Sequence, residues 1–420
     1  MASEKENGLM DIRIPAGWTL AGLVAGLLVG MAMHGRPGFE VVEMAAAPIG
    51  SLWLDALQMT IIPLVASLLV MGISQMAQAA SAGRVARTTV LWIFAVLVMG
   101  AVSTCVFMPL LLEIFPIPAG AAGFLMTGGA AAAGEVPGVG AFVTSLVAPN
   151  IIAAAAQTSM LPLTIFFALL ALAIVRLPTG QRDTLLSFFR ATGNAMLVII
   201  GWVLAAAPVG VFALAIGVAA AGGSGAFATL AHYILTVTAM GTLVMLAGYF
   251  VAVFGGRQGP LAFTRAMLPA QAVALSTQSS LASLPAMLVS ARRMHIGEAT
   301  ADFVLPLAVA IFRATSPAMN LAVAIYVAHL AGVALDAATL ATGVLVALII
   351  SVGSVSLPGS ISFVVSVGPI ALAMGVPVQP LALLVAVEML PDIMRTIGNV
   401  TMDVAVTTAV DRSGELGEEP

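Results

Sequence analysis

The sequence predicts an all-α polytopic membrane protein of eight transmembrane helices and two re-entrant helical hairpins, arranged as inverted repeats. Three observations carry that prediction. Of the 420 residues, 61% are hydrophobic and only 8% charged, with a mean hydropathy of +1.11; soluble domains carry roughly a quarter charged residues, so a bilayer is the only plausible solvent. Apolar stretches of spanning length recur along the whole chain, for instance at 18–33, 61–76, 90–112 and 161–175. The basic residues alternate by loop, and two apolar segments fail to cross by that alternation.

Taken in order, residues 1–82 carry spans 1 and 2, 83–113 span 3, 114–225 an outer loop with spans 4 and 5, and 226–258 span 6. The first apolar stretch opens a multi-span pattern and so reads as a span, not a cleaved leader. Its ladder Gly22, Gly26, Gly30 reads as a helix-packing face. Lys5 and Arg13 precede span 1, Arg84 and Arg87 precede span 3, Arg176, Arg182 and Arg190 follow span 4, and Arg257 and Arg265 follow span 6. Residues 114–147, 222–228 and 331–338 hold no Lys or Arg, and only Arg36 breaks the alternation. Basic loops stay cytoplasmic, which places both termini inside, as in a plasma (cell inner) membrane protein, and the 114–147 loop outside.

Residues 259–296 form the first anomaly. Arg265 and Arg292 bracket an apolar segment that a single span would split between the two sides. Its middle holds Ser276, Thr277, Gln278, Ser279, Ser280, Ser283 and Pro285. Such backbone at membrane depth is tolerated only inside protein or beside a wet cavity, so the segment reads as a hairpin entering and leaving from the cytoplasmic side. Residues 332–374 contain the second, broken by Ser351, Gly353, Ser354, Ser356, Pro358, Gly359 and Ser360 between loops without basic residues. It enters from outside. Each hairpin leads to or follows an interrupted span, 297–331 (span 7) and 375–411 (span 8), before a tail at 412–420. Hairpin plus broken helix, twice and inverted, marks the substrate site of a secondary transporter. Ordinary helices packed through serines and glycines are the alternative, and they leave the charge order unexplained.

Charges inside spans are costly, so each is a functional candidate. In span 8, Glu388, Asp392, Arg395, Asn399 and Asp403 recur at spacings of 4, 3, 4 and 4, one polar stripe bordered by Thr396. Arg395 can hold a carboxylate through two parallel hydrogen bonds and Asp392 can take an ammonium, a fit for a zwitterion with an extra carboxylate. The alternative is that Arg395 and Asp392 neutralise each other. Pro391 frees a carbonyl one turn earlier and threatens to re-aim Asp392. The lone Cys105 excludes disulfides and cysteine-ligated metals, and His34, His232, His295 and His329 are scattered singly. No basic patch suggests nucleic acid. No HExxH, GxSxG or paired histidines favour the rival reading of a membrane-embedded enzyme.

At these residues the chain resembles the dicarboxylate/amino acid:cation symporter family, the glutamate-transporter type. The resemblance covers nearly the whole sequence and rests on 48–63 (PIGSLWLDALQMTIIP), 161–174 (LPLTIFFALLALAI), 208–213 (PVGVFA), 277–285 (TQSSLASLP), 297–307 (GEATADFVLPL) and, most specifically, 392–403 (DIMRTIGNVTMD). It implies a homotrimer with an elevator-type fold. Spans 1, 2, 4 and 5 would be scaffold; spans 3 and 6, both hairpins and the two interrupted spans would move. It implies that Arg395 holds the substrate's side-chain carboxylate and Asp392 its amino group. Ser279, Ser280, Ser316, Ser356, Leu357, Pro358, Thr396 and Asn399 complete the implied substrate site, the second hairpin tip gating access.

The resemblance does not extend to the sodium ligands. Where the family reads Asn-Met-Asp-Gly-Thr, this chain has Phe312, Arg313, Ala314, Thr315 and Ser316, and Val96 and Leu97 replace a Thr-Ser pair. Asn399 and Asp403 remain as ligands if sodium is bound. Arg313 reads as a built-in cation, with Glu388, Asp403, Ser351 and Ser354 also ion-related. The expectation is a carrier of aspartate, glutamate or related dicarboxylates without a resident cofactor, driven by protons or exchanging without an ion. Low-affinity sodium use stays open, as does a passive anion channel.

Overall fold

The structure, a computed structural model, describes residues 16–33, 36–80, 83–118, 144, 146–222, 225–353 and 359–415. Among these residues the regular structure is helical throughout. The second hairpin tip, with Ser354, Ser356, Leu357 and Pro358, lies outside the described residues, as do Lys5, Arg13, most of the 114–147 loop and the end of the tail.

The chain starts with α1 (Ala16–Met33), α2 (Phe39–Gln58) and α3 (Ile61–Ala80). α2 was not anticipated as a helix of its own: Glu40, Glu43, Asp55 and Pro48 dilute its apolar signal. α4 (Arg84–Ile114) is followed by the short α5 (Ile151–Ala156), then α6 (Met160–Val175), α7 (Thr179–Ala205) and α8 (Ala207–Gly222). α1 lies against α8 at backbone distance. A Cβ at Gly22 would stand 2.4 Å from the Pro208 carbonyl oxygen and one at Gly26 2.5 Å from that of Phe212. Trp53 seals the joint by sitting over Gly210 and donating its indole N–H to the Val203 carbonyl at 2.9 Å.

α9 (Gly225–Phe250) ends in a π turn, Val251–Gly255. α10 (Pro260–Thr277) and α11 (Ser280–Arg293) pack together as a helical hairpin. Gln278 takes a left-handed φ of 50° at its tip, and the Ser279 hydroxyl caps α11 by accepting the Ala282 N–H at 3.2 Å. α12 (Glu298–Ile311) and α13 (Ser316–Ala331) are separated at 312–315, where the helix is interrupted. α14 (Ala337–Gly353) and α15 (Gly359–Ala373) pack on each other and both on α13. The chain closes with α16 (Gln379–Leu384) and α17 (Met389–Glu415).

Five stretches among the described residues are long and apolar enough to cross a membrane: Phe39–Gln78, Arg84–Ile114, Thr179–Ala205, Phe227–Gly255 and Glu298–Ala331. α1, α6 and α8, among the expected spans, fall among the shorter apolar helices. Large side chains such as Trp18, Leu52, Val106, Trp202 and Leu235 are exposed on outer faces, the pattern of a chain whose surroundings are lipid.

One group of helices contains α1, α2, α3, α6, α7 and α8; in another, α17 packs against α4, α9, α10, α11 and α12. α13 is buried on every side from Ser316 to Ala328, as expected of an apolar helix at a bundle's centre.

At the start of α14 the Asp336 carboxylate accepts the Thr339 N–H at 2.8 Å. That bond holds the Asp336 carboxyl below the usual carboxylate range. A depressed folded-state value means the contribution is present above the ordinary value of about 3.9 and is lost as pH falls through the depressed one. Asp336→Ala is therefore expected to lower the thermal midpoint in detergent at neutral pH. The gap to the parent should close on acidification below about pH 4; a gap that stays constant would show that the cap contributes through something other than its charge.

Candidate functional site

The polar stripe of the last span begins differently from its sequence pattern. α17 starts at Met389, and Glu388 sits in the turn before it, its carbonyl accepting the Asp392 N–H at 2.9 Å. Pro391 therefore falls in the first turn, where a missing N–H breaks no helical bond, and it produces no interruption. The reason is local: Val385–Glu388 forms tight turns between α16 and α17, so the helix starts later than the apolar run suggests.

Arg395 is the hub. Its guanidinium donates to Glu388 Oε1 at 2.6 Å and to Asn320 Oδ1 at 2.8 Å, and its Nε faces Asp392 Oδ1 at 3.3 Å. Glu388 is fully buried and its other oxygen accepts the Tyr233 hydroxyl of α9 at 3.4 Å. Asp392 and Arg395 are also buried. The mutual neutralisation of Arg395 and Asp392 is thus present, but Glu388 makes the shorter contact. Asn320 and Tyr233 were missed as site residues. Asn320 had a signal, an amide one helical turn after Ser316 in an apolar run; a tyrosine in a span carries none.

Asn399 meets the break between α12 and α13. Its side-chain oxygen accepts the Thr315 N–H and the Thr315 hydroxyl, each at 2.9 Å. The approach requires a glycine next to it: a Cβ at Gly398 would stand 2.6 Å from Thr315 Cγ2. Asn399, expected at the substrate, thus satisfies the backbone of an interrupted helix with that oxygen. Thr396 turns its hydroxyl onto the Asp392 carbonyl at 3.0 Å. Ser316 is buried in the first turn of α13.

Two contacts tie the first hairpin and the segment leading into it to α17. Gly256 approaches Thr408, and Gln271 donates to the Thr401 hydroxyl at 2.9 Å. From Gln271 the last turns of α10 lead to the hairpin tip at Gln278. Ser280 there is buried with a hydroxyl that has no partner among the described residues, and Ser351 in α14 is the same. Both hydroxyls are unengaged donors in the two helices that lead from and to the hairpin tips.

Two further charges, Asp403 and Arg313, lie outside the Arg395 hub. Asp403 is fully buried and neither carboxylate oxygen has a hydrogen-bond partner among the described residues; one terminal nitrogen of Arg313, in the α12/α13 break, is likewise unpartnered. The Arg313 guanidinium lies within electrostatic range of Asp403 and Asp392. Val96, Leu97, Phe312 and Ala314 are buried in the apolar cluster around this level. Among the described residues no three His, Cys, Asp or Glu side chains gather as a metal site.

A helical membrane protein that buries a forked cation, its counter-charges and unengaged hydroxyls beside interrupted helices is built as a carrier of small solutes. The chain belongs to the sodium:dicarboxylate symporter family, whose model matches residues 16–413. It is a transporter, not an enzyme. It is 26% identical to the proton/glutamate-aspartate symporter of Escherichia coli (strain K12) over 93% of this chain and 91% of that protein. It is 26% identical to the proton/sodium-glutamate symport protein of Bacillus caldotenax over 92% of each. Over 62% of this chain and 49% of the other it is 30% identical to the neutral amino acid transporter B(0) of Oryctolagus cuniculus.

Proposed function

We propose that this chain is a secondary active transporter, symporter or exchanger, for acidic amino acids or related dicarboxylates. It works by elevator-like alternating access and is driven by protons or by exchange, not by conventional sodium coupling. The observation that carries the reading is the buried Arg395 fork beside Asp392 and Glu388. A guanidinium matches a distal carboxylate and Asp392 matches an ammonium. Ser279, Ser280, Ser316, Thr396 and the 354–358 tip would surround the rest of the substrate. The moving unit would be α4, α9 to α15 and the last two helices, in a trimer in the plasma membrane with both termini inside.

Against sodium stands the donor set. Sodium needs several oxygen ligands, and Val96, Leu97, Phe312 and Ala314 offer no side-chain oxygen, while Arg313 already supplies a positive charge. A similar protein named for proton coupling accords with this. One observation favours a second reading, a sodium-coupled carrier with a reduced ion site at Asn399 and Asp403: both Asp403 oxygens are buried without a partner.

Proteoliposomes separate the two. Aspartate uptake should rise under an inward proton gradient, or proceed by exchange alone, and should not respond to an inward sodium gradient. Stimulation by sodium of about tenfold, equivalent to about 1.4 kcal/mol, would establish the second reading. Aspartate or glutamate should also compete better than succinate or malate, because Asp392 repels a ligand without an ammonium; the reverse order would sink the amino-acid preference.

A further inference from the structure

Arg395 does not present a free fork. Its two terminal nitrogens are taken by Glu388 at 2.6 Å and Asn320 at 2.8 Å, and Asp392 lies at 3.3 Å on the Nε side. The carboxylate of Glu388 stands where a substrate's distal carboxylate would have to bind. A bidentate grip on an acidic substrate therefore requires Glu388 to let go.

Charge decides how. With Glu388 and Asp392 ionised and Arg395 positive, the trio carries −2 + 1 = −1. An amino acid with an uncharged side chain adds nothing and leaves the Glu388–Arg395 pair intact. Aspartate or glutamate adds another −1 in a site where Glu388 is fully buried. An unpaired buried carboxylate is strongly disfavoured, and it neutralises by taking a proton. A proton on Glu388 releases Arg395 and returns the loaded site to −1. Tyr233 remains beside the protonated group.

We propose that Glu388 is an internal stand-in for the substrate's distal carboxylate, so that acidic amino acids bind together with one proton on Glu388 while small neutral amino acids bind without it. The inference rests on the acidic-amino-acid reading and extends it to a second, neutral substrate class selected by pH. The groups facing Glu388 are Tyr233 from α9, the Asn320 amide from α13 through Arg395, and Arg395 and Asp392 from α17. Arg313 from the α12/α13 break faces Asp392, and Asp403 faces Arg313. Asp392 meets the ammonium of both substrate classes, so its titration changes both affinities alike. The ratio of aspartate to serine affinity therefore reports Glu388.

The test is binding of aspartate and serine to the purified full chain between about pH 5 and about pH 8.5, where both aspartate carboxylates are ionised, with proton uptake read in weak buffer. In the parent, aspartate affinity should fall by about tenfold per pH unit on the alkaline side, with about one proton taken up per aspartate, and serine affinity should stay level. Glu388→Gln should flatten the aspartate profile, abolish the proton uptake and shift selectivity from serine toward aspartate. A parent profile without pH dependence, or a Glu388→Gln profile that keeps it, overturns the proposal. If Glu388→Gln does not fold, Tyr233→Phe removes only the hydroxyl on Glu388 and should move the pH midpoint for aspartate, while serine binding, whatever its level, stays independent of pH; an unmoved midpoint overturns it too. Serine binding with no aspartate binding at any pH, in parent or variant, overturns instead the acidic-amino-acid reading on which the proposal stands.

Discussion

Arg395→Ala is expected to cause a large loss of binding and uptake of aspartate and glutamate. Truncating one member of a buried hydrogen-bonded charge pair costs about 2–5 kcal/mol in binding, a loss of roughly 30-fold to several thousand-fold. The same change strands Glu388 and Asp392 in a buried site, Glu388 having lost its 2.6 Å partner, so the thermal midpoint should also drop; breaking a buried pair typically costs about 3–5 kcal/mol of stability. Two further variants separate these effects. Arg395→Lys keeps the charge without the planar fork and should retain the fold with weak acidic-substrate binding. Arg395→Ala with Glu388→Gln should recover stability and still not bind aspartate. Equilibrium binding and thermal unfolding measure both quantities. Parent-like aspartate binding by Arg395→Ala would show that the distal carboxylate is held elsewhere.

The second large effect concerns Arg313. Parent affinity for aspartate should be nearly the same in sodium and in an inert cation such as choline. Arg313→Met should weaken binding by about tenfold or more, because it leaves the Asp403 carboxylate, whose oxygens lack hydrogen-bond partners among the described residues, without its nearest cation. Sodium should not rescue the variant, since Val96, Leu97, Phe312 and Ala314 line this level with hydrocarbon. Arg313→Met with Asp403→Asn removes both charges and should recover part of the lost thermal stability. Restoration of tight binding to Arg313→Met by sodium would instead make Asp403 a cation ligand that the arginine normally blocks.

How much of this was legible depends on the kind of signal. The break between α12 and α13 could be expected because Arg313, Thr315, Ser316 and Asn320 interrupt an apolar run, and backbone of that composition survives at membrane depth only inside protein. The hairpin of α10 and α11 could be expected from Arg265, Arg292 and the serines between them. α2 could not, because acidic residues and a proline hid its apolar face.

The sequence by itself determined the solvent, the all-helical class, the family and the identity of the charged residues, since hydropathy, charge order and local motifs are written along the chain. It placed Arg395, Asp392, Asn399 and Asp403 on one helical face because the period of a helix is a local property. Only the tertiary structure decided what each charge touches. Glu388 lies outside the helix by a turn that no pattern announces, and its pairing with Arg395 depends on Tyr233 and Asn320 arriving from α9 and α13. Asn399 serves the α12/α13 break because Gly398 lets two helices approach within contact distance. Spacing fixes which residues share a face; the partner of a buried charge is fixed by which other helix packs against that face, a long-range choice made by the whole fold.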